Sequence, residues 1–224
     1  MQAPTTRPAS PLIAAGGLAG PFFMLLATIQ VLTRPGFQPL RCQVSQLAIG
    51  DAGWVQALNF LVTGALVLAF GLGLRQALRP QRLLPALVGC MGLGFLAATC
   101  FATVPGYGCP SGPVSVPPGV TINGPAHDLA AGAVFISFLV AGLFCARRAW
   151  RQRQYGFARY SLGSVVAMLA FLTLSSLGYA QTHGLTAVSG LFEWLALLSV
   201  FAWITTVAVA LVSGRRWAEG PNGT

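Results

Sequence analysis

The sequence holds few side chains that can carry a proton, and three acids and one histidine suggest acid–base chemistry. General acid–base catalysis most often uses histidine, aspartate and glutamate side chains. A carboxylic acid held protonated in a dry site can protonate an alkene or an epoxide, and aromatic walls stabilise the cation that forms. Glu193, Asp51, Asp128 and His127 are therefore the candidate catalytic residues.

A second set of polar and aromatic residues lies near these four in the sequence and could bind a substrate. They are Trp54, Gln56, Asn59, Tyr179, Trp194 and Arg41. Cys42 and Cys109 are candidates for a disulfide, since both fall in loops predicted on the outer side, where such a bond can persist. With two histidines and no Cys/His cluster, we expect no metal site. No phosphate-binding G-x-x-x-x-G-K motif occurs, which excludes a nucleotide-driven pump. We also expect no cofactor.

Each candidate acid also has a purely structural interpretation. Asp51 could cap the helix that follows it, and Asp128 could offset the dipole at the start of its helix. Glu193 lies near the third position of its helix if Gly190 is the cap, a common place for glutamate. His127 and Asp128 are sequence neighbours, so they point about 100° apart on a helix and do not form a pair by adjacency.

The composition shows what kind of fold must position these residues. Of the 224 residues, 55% are hydrophobic and 8% are charged, whereas soluble domains carry about 25% charged residues. The net charge of +9 results from 13 arginines and four acidic residues, and the arginines lie mostly between long apolar runs. Nucleic-acid binders instead carry a basic face on a solvated domain, so we expect no nucleic-acid partner.

Six apolar runs are long enough to span a bilayer as helices. They cover about residues 12–33, 54–74, 83–104, 126–146, 160–180 and 191–213. The fold class is therefore an all-α bundle of six transmembrane helices over residues 12–214. Residues 1–11 and 215–224 are expected to be disordered and cytoplasmic.

The arginines predict the orientation of these spans. If the spans alternate, one side holds Arg7, Arg75, Arg79, Arg82, Arg147, Arg148, Arg151, Arg153, Arg159, Arg215 and Arg216. The other side holds Arg34 and Arg41. Cytoplasmic loops carry the excess of arginine, so both termini are predicted to be cytoplasmic in a multi-pass protein of the cell membrane.

A polar stretch before the second span contains Ser45, Leu47, Gly50, Gly53, Trp54, Gln56, Asn59 and Phe60. In these residues it resembles a bacterial six-span family, domain of unknown function 998. A Pro/Gly-rich loop leading to His127, and the Arg147-Arg148 pair, continue the pattern. The resemblance covers about residues 12–214 and implies six spans, but no activity. Relatives often carry a histidine in the first loop, whereas this chain has none before His127.

Three functions fit these observations. The first is a cofactor-free enzyme, a cyclase or isomerase such as a membrane-bound terpene cyclase, with a polar pocket on the outer face for a lipophilic, isoprenoid-like substrate. The second is a non-catalytic lipid-binding or accessory membrane protein. The third, a small transporter, is disfavoured because no charge lies near the midplane of any span. Membrane lipids are the expected partners, and the Gly16-x-x-x-Gly20 motif leaves homodimerisation or packing within one chain open.

Overall fold

In a computed structural model the chain folds as the apolar runs predict. The structure describes residues 11–106, 108–109, 114–182 and 184–213. The helices are α1 (Pro11–Thr33), α2 (Gly53–Ala77), α3 (Leu83–Cys100), α4 (Gly124–Arg151), α5 (Tyr155–Tyr179) and α6 (Ser189–Val212). All six are long and apolar enough to cross a membrane. The prediction of an all-α, six-helix membrane bundle is confirmed.

The helix boundaries differ from the predicted spans mainly in α3, α4 and α5, and the last of these begins at Tyr155, before its predicted start at 160. The chain leaves α3 at Cys100 and enters a two-residue strand, β1 (Phe101–Ala102), which pairs in parallel with β2 (Thr121–Ile122). The α4 helix continues past the apolar run to Arg151. The predicted disordered segments, 1–11 and 215–224, lie outside the described residues except for Pro11. Pro11 begins α1, so the prediction of disorder is wrong at that residue.

The six helices pack in a ring that follows their order in the chain. Each helix contacts the next, and α6 closes the ring against α1. Glycines permit the close approaches. A side chain at Gly16 would meet the ring of Phe70 in α2, and one at Gly20 would lie 2.8 Å from Phe201 Cβ in α6. The Gly16/Gly20 motif is therefore used for packing within the chain.

Three connections meet at one end of the ring, which we call the capped end. They are residues 34–52, 101–123 and 180–188. Gly50 N–H donates to Ser115 O, Leu191 N–H donates to Leu40 O, and Tyr179 hydroxyl donates to Val104 O. The α2–α3 and α4–α5 connections, with their arginines, lie at the opposite end. Which end faces the cytoplasm stays a prediction from the arginine count.

Candidate functional site

A short 3₁₀ helix, Val44–Ala48, forms the roof of the bundle at the capped end. All five of its residues are buried. Its first amide, Val44 N–H, donates to Glu193 Oε2, and the amide and hydroxyl of Ser45 approach the same carboxylate. A negative group suits a helix N-terminus, where amide donors have no partner within the helix. Glu193 of α6 therefore caps a helix from another part of the chain.

Arg34 holds the other end of the same 3₁₀ helix. Its guanidinium donates to Leu47 O over 2.8 Å and to Ile49 O over 2.7 Å. A cation at the C-terminal end complements the helix dipole as the carboxylate does at the N-terminal end. Partial burial lowers the pKa of Arg34, and the Asp51 carboxylate opposes this shift. The 3₁₀ helix that forms the roof is thus held by the Glu193 carboxylate at its N-terminal end and by the Arg34 guanidinium at its C-terminal end, and we call this pair of contacts the clamp.

Replacing Arg34 by glutamine should lower the free energy of unfolding by about 2 kcal/mol, because two carbonyl acceptors lose a charged donor. Arg34→Lys should recover only part of the loss, since a single ammonium cannot reproduce the planar fork. Thermal unfolding of the purified protein in detergent measures both variants. The matched control is Arg79→Gln, which removes an exposed arginine at the opposite end. Equal midpoints for the Arg34 and Arg79 variants would refute the clamp.

Further contacts fasten the roof to its surroundings. Cys42 and Cys109 form a disulfide with a Cα–Cα distance of 5.3 Å, which ties the first connection at the capped end to the second. Gln46 Nε2 donates to Cys109 O over 3.2 Å. Ser189 hydroxyl donates to Arg41 O over 2.9 Å. The pairing that the sequence left open is therefore part of a closed roof.

His127 lies in the first turn of α4 with one nitrogen already committed. Its side chain is buried, and Nδ1 lies 2.8 Å from Phe101 O in β1. A carbonyl oxygen only accepts, so Nδ1 carries the hydrogen and Nε2 is left as the basic atom of the neutral ring. The β1–β2 pairing and the Asn123 cap, whose side chain accepts from Ala126 N–H, position this turn.

A cavity of about 40 Å³ lies beneath the roof, between His127 and Glu193. That volume is room for roughly three water molecules. Five helices and the roof line it, through Phe23, Val44, Ser45, Phe60, Gly94, Phe95, Ala98, His127, Ala130, Ala131, Val134, Phe135, Glu193 and Leu197. The structure thus brings two of the four candidate catalytic residues to one small, largely apolar space.

Aromatic rings cluster along one side of this cavity. The ring centroids of Phe23 and Phe95 are 5.9 Å apart, and those of Phe23 and Phe60 are also 5.9 Å apart. Phe201 stacks beneath, 5.5 Å from Phe95. The His127 ring lies 6.3 Å from Phe60. Such faces carry negative charge density and favour a cation.

The other two candidate acids lie away from the cavity. Asp51 is exposed and accepts from Ser115 hydroxyl over 2.9 Å, which fastens the second connection to the first. It does not cap α2, whose N-cap is Ala52 with no side-chain hydrogen bond. Asp128 is exposed as the fifth residue of α4, whose first turn holds no acidic residue, so the interpretation that it offsets the dipole at the helix start is wrong. His183, the second histidine, lies outside the described residues.

The six candidate binding residues do not lie together in the structure. Gln56 and Asn59 are buried between α1 and α2, where Gln30 Nε2 donates to Gln56 Oε1 over 2.8 Å and Asn59 Nδ2 donates to Phe23 O over 3.1 Å. Trp54 is exposed at the start of α2. The remaining three occupy other places: Tyr179 bonds to Val104 O, Trp194 packs against the core, and Arg41 lines a separate groove. None of the six is among the described residues that line the cavity.

Sequence reasoning missed most of the cavity wall. Val44 and Phe95 are apolar residues in an apolar chain, and no spacing signal distinguishes them. Ser45 was visible as a polar loop residue, but its contact with Glu193 joins positions about 150 residues apart along the chain. Arg34 was visible as a charge, and its role depends on a backbone fold that no side-chain pattern reveals. Among the described residues, no group of three or more metal-ligating side chains is placed to bind a metal ion.

A family model described as "Protein of unknown function (DUF998)" matches residues 17–210. The chain belongs to the DUF998 family. No curated protein and no solved structure shows a significant match to it. In this DUF998 protein, three residues that carry the resemblance, Ser45, Phe60 and His127, line the cavity. The family description names no activity, so the function must be argued from the cavity itself.

Proposed function

We propose that this DUF998 protein is a cofactor-free membrane enzyme that moves protons on a lipophilic substrate within the cavity beneath the roof. The observation that carries the proposal is the pairing of one carboxyl group, Glu193, with one oriented imidazole, His127, around a space floored by aromatic rings. Proton transfer to and from carbon needs an acid, a base and stabilisation of the intermediate charge. Glu193 supplies the acid, His127 supplies the base, and the aromatic rings supply the stabilisation.

The residues divide the reaction into two steps. Glu193, in its protonated form, donates its proton to a carbon–carbon double bond, and the double bond's electron pair forms the new C–H bond. The amides of Val44 and Ser45 stabilise the carboxylate left behind. The cation lies against Phe23, Phe60 and Phe95. His127 Nε2 then removes a proton from a neighbouring carbon, and its return to Glu193 completes an isomerisation or cyclisation with no net redox change.

The fastened roof supports a substrate that enters from the membrane. The disulfide, Arg34 and Glu193 each hold the 3₁₀ helix in place across the aqueous entrance. A substrate dissolved in the bilayer can reach the cavity between the helices and does not need an entrance from the aqueous side. The cavity volume of about 40 Å³ is well below the roughly 300–1,000 Å³ of ordinary ligand pockets. The cavity therefore has room only for the reacting segment of a prenyl-like chain, unless the helices move apart.

The test compares membrane lipids by untargeted mass spectrometry in the native host. The gene is deleted and then restored as wild type, Glu193→Gln, His127→Asn or Asp128→Asn. Asparagine keeps a donor near Phe101 O but removes the Nε2 base, and Asp128→Asn is the matched control because Asp128 is exposed. We expect one lipophilic species to accumulate in the deletion, the Glu193 variant and the His127 variant, and to be absent with wild type and the control.

A second candidate is a non-catalytic lipid-binding or accessory protein, favoured by the bond from Val44 N–H to Glu193. In that case Glu193 only fixes the roof. Glu193→Gln would then lower the unfolding temperature while leaving the lipid profile unchanged. Identical lipid profiles in all strains, with each variant folded and inserted, would reject the enzymatic proposal.

A further inference from the structure

A second depression opens at the capped end, distinct from the cavity. It has a volume of about 790 Å³ and is lined by residues 37–41 together with Gly184, Thr186 and Ala187. This volume is typical of ligand sites. None of these residues lines the cavity, so the two sites share no side chain. Among the described residues that line this groove, Arg41 is the charged one.

The backbone that carries Arg41 is held on both sides. Arg41 N–H donates to Gln38 O over 3.0 Å, and Ser189 hydroxyl donates to Arg41 O over 2.9 Å. The next residue, Cys42, is bonded to Cys109. The guanidinium therefore extends from a fixed point, which reduces the conformational entropy that a ligand must remove when it binds.

The chemistry of the groove matches an anion attached to an apolar molecule. A guanidinium binds phosphate oxygens through two parallel N–H donors. Beside Arg41, the Leu40 side chain is 56% exposed, and the half-buried Pro39 lines the same groove. The groove begins four residues after α1 ends at Thr33, close to the level at which the chain leaves the apolar span. Lipid phosphates lie at that level, directly above their acyl chains.

We propose that this groove binds the phosphate head group of an anionic membrane lipid, with Arg41 as the residue that contacts the phosphate. The segment of the acyl chain nearest the head group then lies against Leu40. The proposal does not depend on catalysis in the cavity, because Arg41 and Leu40 contribute nothing to the cavity wall.

The test uses photoactivatable lipids in vesicles that contain the full-length protein. One sample holds a phosphatidylglycerol probe in phosphatidylcholine vesicles, and the other holds a phosphatidylcholine probe in the same vesicles. Peptide mapping by mass spectrometry then measures labelling of residues 35–41 and 184–188. Both probes carry a phosphate, but the choline ammonium offsets its charge in the neutral one. We therefore expect the anionic probe to label these segments about fivefold more, the ratio for one arginine attracted to an anionic lipid.

Three variants and one competitor make the result specific. Arg41→Gln should reduce this labelling to the level of the neutral probe, and Arg41→Lys should keep part of it. Arg79→Gln, which removes an exposed arginine at the other end, should leave it unchanged. Equal labelling by both probes, or labelling that survives Arg41→Gln, would overturn the proposal. Complete displacement by millimolar inorganic phosphate would instead assign the groove to free phosphate and overturn the lipid assignment.

Discussion

Replacing Gly190 by alanine should lower the free energy of unfolding by about 3 kcal/mol, since overpacking against a rigid backbone has costs of this size. Gly190 is the second residue of α6, and the first connection at the capped end crosses directly over it. A Cβ atom there would press on Cys42 O and would lie 2.6 Å from Pro39 O. Both atoms belong to backbone, so no side-chain rotation relieves the contact.

The crossing segment also cannot move away cheaply. Leu191 N–H donates to Leu40 O over 3.0 Å, and Cys42 is held by the disulfide. Thermal unfolding in detergent measures the effect. Gly163→Ala is the matched control, because Gly163 lies in α5 and an added Cβ would meet nothing within 4 Å. That control should be neutral or slightly stabilising, as alanine favours helix. A Gly190 variant as stable as the Gly163 variant would contradict the close crossing.

Loss of the Cys42–Cys109 bond is the second change for which we expect a large effect. The bond closes a loop with a sequence separation of 67, for which chain entropy predicts about 4 kcal/mol of stabilisation. Helices that persist in the unfolded membrane state shorten the flexible part of that loop, so we expect about 2–4 kcal/mol for Cys42→Ser.

A thiol reductant should reproduce the loss in the wild type and leave Cys42→Ser unchanged. Cys90→Ser and Cys100→Ser are the controls, since both cysteines are free and exposed. If the enzymatic proposal holds, Cys42→Ser should also reduce turnover, because Val44 and Ser45 lie only two and three residues after Cys42 in the chain. An unchanged unfolding temperature under reducing conditions would show that the bond does not hold the roof.

The architecture could be predicted because a bilayer imposes a simple rule on sequence. Twenty apolar residues in a row must form a helix in lipid, and the rule depends on nothing distant in the chain. It located both ends of α1, α2 and α6 closely, but it placed the start of α5 five residues after Tyr155, where the helix begins. It misplaced the end of α3, where Phe101 and Ala102 are apolar but form β1 instead. Apolar character alone does not distinguish the last turn of a helix from a short strand.

The candidate site could be predicted only in part, because its geometry depends on contacts between distant segments. His127 is the fourth residue of α4. Glu193 is the fifth residue of α6, whose N-cap is Val188 and not Gly190, so its predicted third position is wrong. The ring of helices nevertheless brings both residues to the cavity. Asp51 has the same sequence signature, an acid before an apolar run, yet it bonds to Ser115 in the second connection. The difference arises from the path of residues 34–52, which fold back over the bundle. Loop paths have no periodic pattern that a sequence reveals.

The clamp on the 3₁₀ helix also bears on the order of biosynthesis. The helix is made early, between α1 and α2, but its amide partner Glu193 is made 149 residues after Val44. Arg34 is present at once, and Cys109 follows when α3 has crossed the bilayer. Until α6 inserts, the N-terminal amides of the 3₁₀ helix have no carboxylate, and the cavity lacks one wall. A nascent chain halted before α6 would therefore display an unfinished surface, which quality-control proteases of the membrane can recognise.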